Sequence, residues 1–167
     1  MNTSDVMKYG HLWVLKHLEG LSEEEWAIPG VCGVWSVKEI LAHLASFELM
    51  LVDLLDEISG SGNSTPTLDQ FRSMNGDAFN AAQVGQRKRR SVAEIREEYQ
   101  WGQAQVMNRL DRIPSEKLRQ AGMIPWYGME YDLEDFIAYS FYGHKREHAA
   151  QINVFRDQLA RGAQGVL

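Results

Sequence analysis

The chain has a single cysteine, Cys32, among its 167 residues, so it can form no intramolecular disulfide and no cysteine-based zinc site. The residue reads as a small buried or loop thiol rather than a nucleophile. No apolar run is long enough to cross a bilayer, and the first residues, Met1 to Asp5, carry neither the basic start nor the apolar stretch of a secretory signal. A soluble protein of the cytoplasm, with no membrane partner, is therefore expected. Positive charge is scarce: 17 Lys and Arg against 23 Asp and Glu give a formal net charge of −6, which repels a phosphate backbone on average. The one basic cluster, Arg87-Lys88-Arg89-Arg90, sits just before a helix start and has no interleaved aromatic residues to stack on bases. It reads as solvated linker, and no nucleic-acid partner is expected. Sustained apolar–polar alternation, the mark of a half-buried strand, is absent too.

What is present is ordinary globular composition, 44% apolar and 24% charged, in a length that suits one domain over residues 1–167. Chains of this size bury about 70% of the surface their unfolded state exposes. Apolar residues recur at three and four throughout, which predicts an all-α protein. A first helix is expected from Ser4 to Glu19, with Val6, Met7, Trp13, Val14 and Leu18 as its apolar surface and Gly20 after it. Ser22 and Glu25 have capping-box spacing and can start a short turn before a loop punctuated by Pro29, Gly30 and Gly33. The second long helix has the best start signal: Ser36 can cap the amide of Glu39 while Glu39 reaches back, and Trp35 can staple onto Ile40. Its stripe is Val37, Ile40, Leu44, Phe47, Leu51 and Leu54. A third helix follows a capping box at Ser91 and Glu94, carries Val92, Ile95, Tyr99, Val106, Leu110 and Ile113 inward and stops at Pro114. Gly102 falls on that inner stripe, which favours close helix packing over room for a ligand. The fourth helix is expected from Asp132, with Leu133, Phe136, Ile137, Phe141, Ile152 and Phe155 buried, ending before Gly162. Between the second and third helices, residues 59–90 begin as a Gly/Ser linker and continue as one additional helix, with Thr67 to Gln70 as its cap and Leu68, Phe71, Met74, Ala78, Phe79 and Ala82 on its apolar side. A connection this long lets the second and third helices run parallel.

His144 and His148 stand one helical turn apart on the stripe of Phe141, Ile152 and Phe155, so both rings should point inward. His43, three residues after Ile40 and four before Phe47, should do the same. Imidazoles buried without partners are costly, and three together would repel if protonated, so one shared divalent cation accounts for all three. Counted along the helices, His43 lies roughly 10 Å and His148 roughly 20 Å from one end of the bundle, so convergence requires the helices to be offset along their axes. His11 and His17, six apart, share no face well and read as surface or boundary residues. Glu48 and Glu147 are expected to point away from the ligand face as solvated charges. Asp77 and Asn80 are open to either an approach from the crossover or helix capping. The segment Trp126-Tyr127-Gly128-Met129-Glu130-Tyr131 can form an aromatic wall over a substrate or plug the bundle end.

The run Trp35-Ser36-Val37-Lys38-Glu39-Ile40-Leu41-Ala42-His43-Leu44 resembles the signature of the DinB-like superfamily, and Tyr142-Gly143-His144-Lys145-Arg146-Glu147-His148-Ala149-Ala150-Gln151-Ile152 resembles its closing histidine pair. The likeness spans nearly the whole chain, and Asp77-x-x-Asn80 ahead of the Ser91 cap resembles the ClbS/DfsB-type branch. The resemblance implies an up-down-down-up four-helix bundle, often dimeric, with a nickel or zinc ion on three histidines. Carried over by position, those ligands are His43, His144 and His148. The superfamily includes thiol-dependent transferases and isomerases, hydrolases, and members without an assigned activity. Three neutral histidines leave a divalent ion its full charge and an open position, suited to hydrolysis of a small molecule or to activation of a thiolate. Hydrolysis leads; a thiol-dependent transferase, or a non-catalytic protective binder with a structural metal, is the alternative. No residue is assigned as the catalytic acid or base. Helix one carries apolar residues over more of its circumference than one seam uses, which is the basis for expecting a homodimer.

Overall fold

A computed structural model describes residues 2–164, and every regular element among them is helical. The long helices are α1 (Thr3–Leu18), α3 (Val37–Ser59), α6 (Val92–Leu110) and α9 (His144–Gln164). Short helices α2 (Glu23–Ala27), α4 (Pro66–Ser73), α5 (Gly76–Arg87), α7 (Ser115–Leu118) and α8 (Leu133–Ile137) join them, and a π-helical turn, Ala138–Gly143, links α8 to α9. Capping boxes start α2, α3 and α6 at Ser22, Ser36 and Ser91, each serine taking the amide three residues on while the glutamate there reaches back. Asp132 and Asp135 do the same for α8.

Contacts at the helix ends give the chain directions. Thr3 donates to Glu134 at one end of the bundle and Arg156 donates to the His17 carbonyl at the other, so α1 and α9 run parallel. Arg109 pairs with Asp56 while Lys38 reaches the Lys88 carbonyl just ahead of α6, so α3 and α6 are also parallel. His43 meets His148 across the same face on which Glu48 meets Lys145, so α3 opposes α9. The order is up-down-down-up.

The crossover holds two helices rather than the one expected. Pro66 occupies the first turn of α4, placing Thr67 inside the helix instead of at its cap; the amides of Thr67 and Leu68 are taken by the Asp53 carboxylate, 2.7 and 3.1 Å away on α3. Asn75 then breaks the run and caps α5 through Ala78. At the other end of the chain, α9 passes through Gly162 to Gln164 instead of stopping before it. The basic run is not all linker either: Arg87 is buried and forms a two-pronged pair with Glu98, which also takes Arg90.

Two apolar clusters fill the bundle. One gathers Met7, Met50, Leu51, Leu54, Val106, Leu110, Phe136 and Phe141; the other gathers Val14, Leu18, Ile40, Leu44, Tyr99, Ala149, Ile152 and Phe155. Between them, at the level of Gly10 on α1, Glu48 on α3, Gly102 on α6 and Lys145 on α9, runs a polar layer. Gly102 is there for close packing, since a Cβ on it would fall 2.7 Å from the Glu48 Cβ. Of the apolar surface of α1, Met7, Val14 and Leu18 are buried and Trp13 is exposed.

Candidate metal centre

His43 is presented by α3 two turns below its cap, and His144 and His148 by the first turns of α9. Both helices carry their histidine toward the polar layer because Ile40, Leu44, Phe141 and Ile152 anchor the same faces in the core. The π turn ends at Gly143, immediately before His144, and so sets the phase in which α9 delivers its pair. His43 Nε2 lies 2.8 Å and His148 Nε2 2.9 Å from His144 Nε2, and the ligand atoms of all three fall within 4.8 Å of one another. The axial offset that convergence requires is present, with α9 continuing well past His148. No carboxylate joins this cluster among the described residues.

The donor set suits a divalent cation. At metal–nitrogen distances of about 2.0–2.1 Å, tetrahedral ligand nitrogens stand roughly 3.3 Å apart, so the rings need part only by about half an ångström. His148 Nδ1 lies 2.8 Å from Gln151 Oε1, an oxygen that can only accept; Nδ1 therefore carries the proton and Nε2 turns its lone pair to the centre. His43 Nδ1 is buried without a partner. Burial first, and then the charges of His144 and His148, hold His43 down at about 2; burial, His148 and Lys145 hold His144 down at about 3. His148 is lowered by burial, against the pull of Gln151 and Glu147. Three imidazoles kept neutral with their nitrogens facing one another are ready for a cation and poor hosts for a proton.

Aromatic rings sheathe the trio. Trp35, read from sequence as a staple on Ile40, sits with its ring centroid 5.0 Å from that of His43, and Phe47 lies 4.7 Å from both His43 and His144. Phe47 continues to Phe71 at 6.3 Å and Phe71 to Trp126 at 5.6 Å. The Trp126 segment thus reaches the site through a line of rings while Tyr127 packs on Phe136 below. A cleft of about 530 Å³ lies instead at the bundle end among Thr3, Asp111, Arg119 and Glu134 and contains none of the histidines.

Other candidate residues fall differently. Glu147 is exposed, as expected, but Glu48 is not a solvated charge: it is buried and paired with Lys145. The signal was present, since Glu48 stands four after Leu44 and three before Leu51 on the inner stripe, and Lys145 stands four after Phe141. Asp77 is exposed in the first turn of α5, where Asn75 is the cap; Asn80 is half-buried with its side-chain oxygen unpartnered. His11 is a half-buried boundary residue against Tyr99, its ring 4.8 Å away, and His17 bonds the Trp13 carbonyl; neither joins the trio.

A helical bundle of up-down-down-up order with a three-histidine cluster that could hold a metal ion is a defined class of protein. The family model of the DinB superfamily matches residues 14–152, and the chain belongs to that superfamily. A solved structure of a Streptococcus pneumoniae protein shares the fold with a TM-score of 0.77 at 13% identity, over 93% of this chain and 88% of that one. No curated protein matches. Among the described residues, no helix is long and apolar enough to cross a membrane.

The lowered histidines have a consequence for the metal-free protein. Below pH 6.5 the unfolded chain protonates imidazoles that the folded chain keeps neutral, so stability is lost as the pH falls from 6.5 toward the folded values of about 3 and 2. Each such histidine contributes a slope approaching about 1.4 kcal/mol per pH unit. Urea unfolding in the presence of a chelator should show a clear drop between pH 7 and 5, and a shallower one in His144→Ala. Equal slopes in the two proteins would contradict the assignment.

Proposed function

We propose that this protein is a divalent-metal-dependent enzyme that hydrolyses a small molecule, with His43, His144 and His148 holding the ion. The observation that carries the reading is the meeting of three Nε2 atoms at 2.8 and 2.9 Å, with no carboxylate among them. A nickel or zinc ion on three neutral nitrogens would supply Lewis-acid chemistry at an open coordination position. The chain's own contribution is to orient and to exclude. Gln151 fixes the tautomer of His148, and Trp35 and Phe47 keep water from the inner side of His43 and His144. The rings from Phe47 through Phe71 to Trp126 offer an apolar surface on which a substrate with an aromatic or aliphatic portion can lie beside the centre.

Protein purified without an affinity tag should contain about one divalent ion per chain by elemental analysis, and metal-dependent turnover of small esters or amides should exceed one product per site. Failure to take up zinc or nickel, even when supplied, would end the metal reading. Stoichiometric ligand capture without turnover would replace the enzyme by a binding protein.

A homodimer is part of the same proposal. It is supported by exposed Tyr9, Leu12 and Trp13 on α1 and by a cleft of about 310 Å³ formed by Tyr9, Trp13, Tyr142 and Arg146. Sedimentation across micromolar concentrations that returned one chain's mass throughout would refute it.

A further inference from the structure

The polar layer contains a second buried assembly beside the histidines. Glu48 and Lys145 are each 1% exposed, with Lys145 Nζ 2.6 Å from Glu48 Oε1. Lys145 Nζ also donates to Gln103 Oε1 at 2.7 Å and lies 5.8 Å from the centre of the Tyr99 ring. Two glycines make the space. A Cβ on Gly102 would press on Glu48, and one on Gly10 would come 3.3 Å from Lys145 Cδ and 3.0 Å from the Tyr142 ring. All four long helices therefore meet around one ammonium group.

Net stability does not account for this arrangement. Desolvating two charges in the middle of a bundle is expensive, and apolar side chains of similar volume in the same space usually stabilise as much or more. The location suggests another role. Lys145 directly follows His144 and precedes His148 by three residues, and Glu48 follows His43 by five on the opposing helix. Along the bundle, the closest backbone approaches are α3 on α6 and α1 on α9, while the α3 and α9 backbones come close at few points. Yet it is across this wider α3–α9 gap that His43 must meet His144 and His148. The π turn just before His144 adds a place where the phase of α9 can shift. An apolar contact tolerates sliding and rotation, whereas a buried ion pair at 2.6 Å, whose ammonium also donates to an acceptor on α6, does not.

We infer that Glu48 and Lys145 are a positioning pair for the histidine centre, fixing the height and rotation of α9 on α3 so that three imidazole nitrogens converge. The inference rests on the metal reading of the trio. Neither side chain touches the ion or the substrate; Glu48 acts through Lys145, and Lys145 through the backbone it shares with His144.

The test separates folding from site geometry with the double variant Glu48→Leu/Lys145→Met, which removes both charges and leaves neither unpaired. Cobalt(II) titration of the whole chain, read by visible ligand-field absorption, is compared with thermal melting followed by circular dichroism. The double variant should stay helical and melt no lower than the wild type, but bind cobalt at least about tenfold more weakly and with an altered spectrum, the size of effect that outer partners of metal ligands produce. Wild-type affinity and spectrum in a folded double variant would overturn the inference. So would a double variant that fails to fold, because the pair would then be a determinant of the fold rather than of the centre. If the wild type itself takes up no cobalt at the trio, the metal reading falls as well; if it does and the variant matches it, only the positioning role falls.

Discussion

Replacing His144 with Ala is expected to weaken divalent-metal binding by more than about 100-fold while leaving the helical content unchanged. Changes to groups that merely support a ligand cost about 10–100-fold, and this substitution removes a ligand nitrogen outright. His144 is also the hub of the trio, its Nε2 standing 2.8 Å from that of His43 and 2.9 Å from that of His148. Two nitrogens remain after its loss, and they belong to helices whose backbones come close at few points. The substitution is cleaner than His43→Ala, because His144 is only half-buried whereas His43 lies under Trp35 and against Phe47, where truncation opens a cavity. His17→Ala is the matched control, since that ring bonds only the carbonyl one turn back. Competition against a chromophoric chelator gives both affinities, and wild-type binding by the His144 variant would dismiss the centre.

The helix starts were legible in the sequence because capping is local chemistry. Ser36 with Glu39 and Ser91 with Glu94 specify their own turns whatever packs above them. His43, His144 and His148 were legible for a related reason: each interrupts an apolar stripe at helical spacing, and a polar residue on a buried stripe asks for a partner. The same argument applied to Glu48 and Lys145, and was missed there because a lone charge in a helix is so often solvated. What decides against solvation is supplied by residues far away in the chain, Gly102 and Gly10, whose missing side chains open the space. Pairing across more than ninety residues has no local signature.

The crossover shows the converse case. Leu68 and Phe79 are buried as expected while Ala78 is exposed, but the start of α4 is set by Asp53, whose carboxylate takes the amides of Thr67 and Leu68 from a neighbouring helix. Once Pro66 and Asp53 fix the first turn, Thr67 has no capping role left. The π turn was equally invisible, because Ala138 to Gly143 differ in no obvious way from an α-helical stretch; its register is imposed by fitting Phe141 into one cluster while delivering His144 to the polar layer.

Removing one member of the buried pair should do far more harm than removing both. Lys145→Met leaves the Glu48 carboxylate inside the bundle with no cation and with neither oxygen hydrogen-bonded, and breaking a buried pair in this way typically costs about 3–5 kcal/mol. The loss should depend on pH with a definite sign. Burial already raises Glu48, and the charge and hydrogen bond of Lys145 are what oppose the rise; without them, the folded-state value moves further up. A carboxyl raised in the folded state is tolerated while protonated and becomes destabilising as the pH climbs from its unfolded value toward its folded one. Relative to the metal-free wild type, which carries the same three histidines, Lys145→Met should therefore be most impaired near pH 8 and partly recovered near pH 5. Chemical unfolding of the two proteins at both pH values, with chelator present, measures the difference. A deficit relative to the wild type that is the same at pH 8 and pH 5, or one within about 1 kcal/mol at pH 8, would show that Glu48 and Lys145 do not depend on each other as the 2.6 Å contact requires.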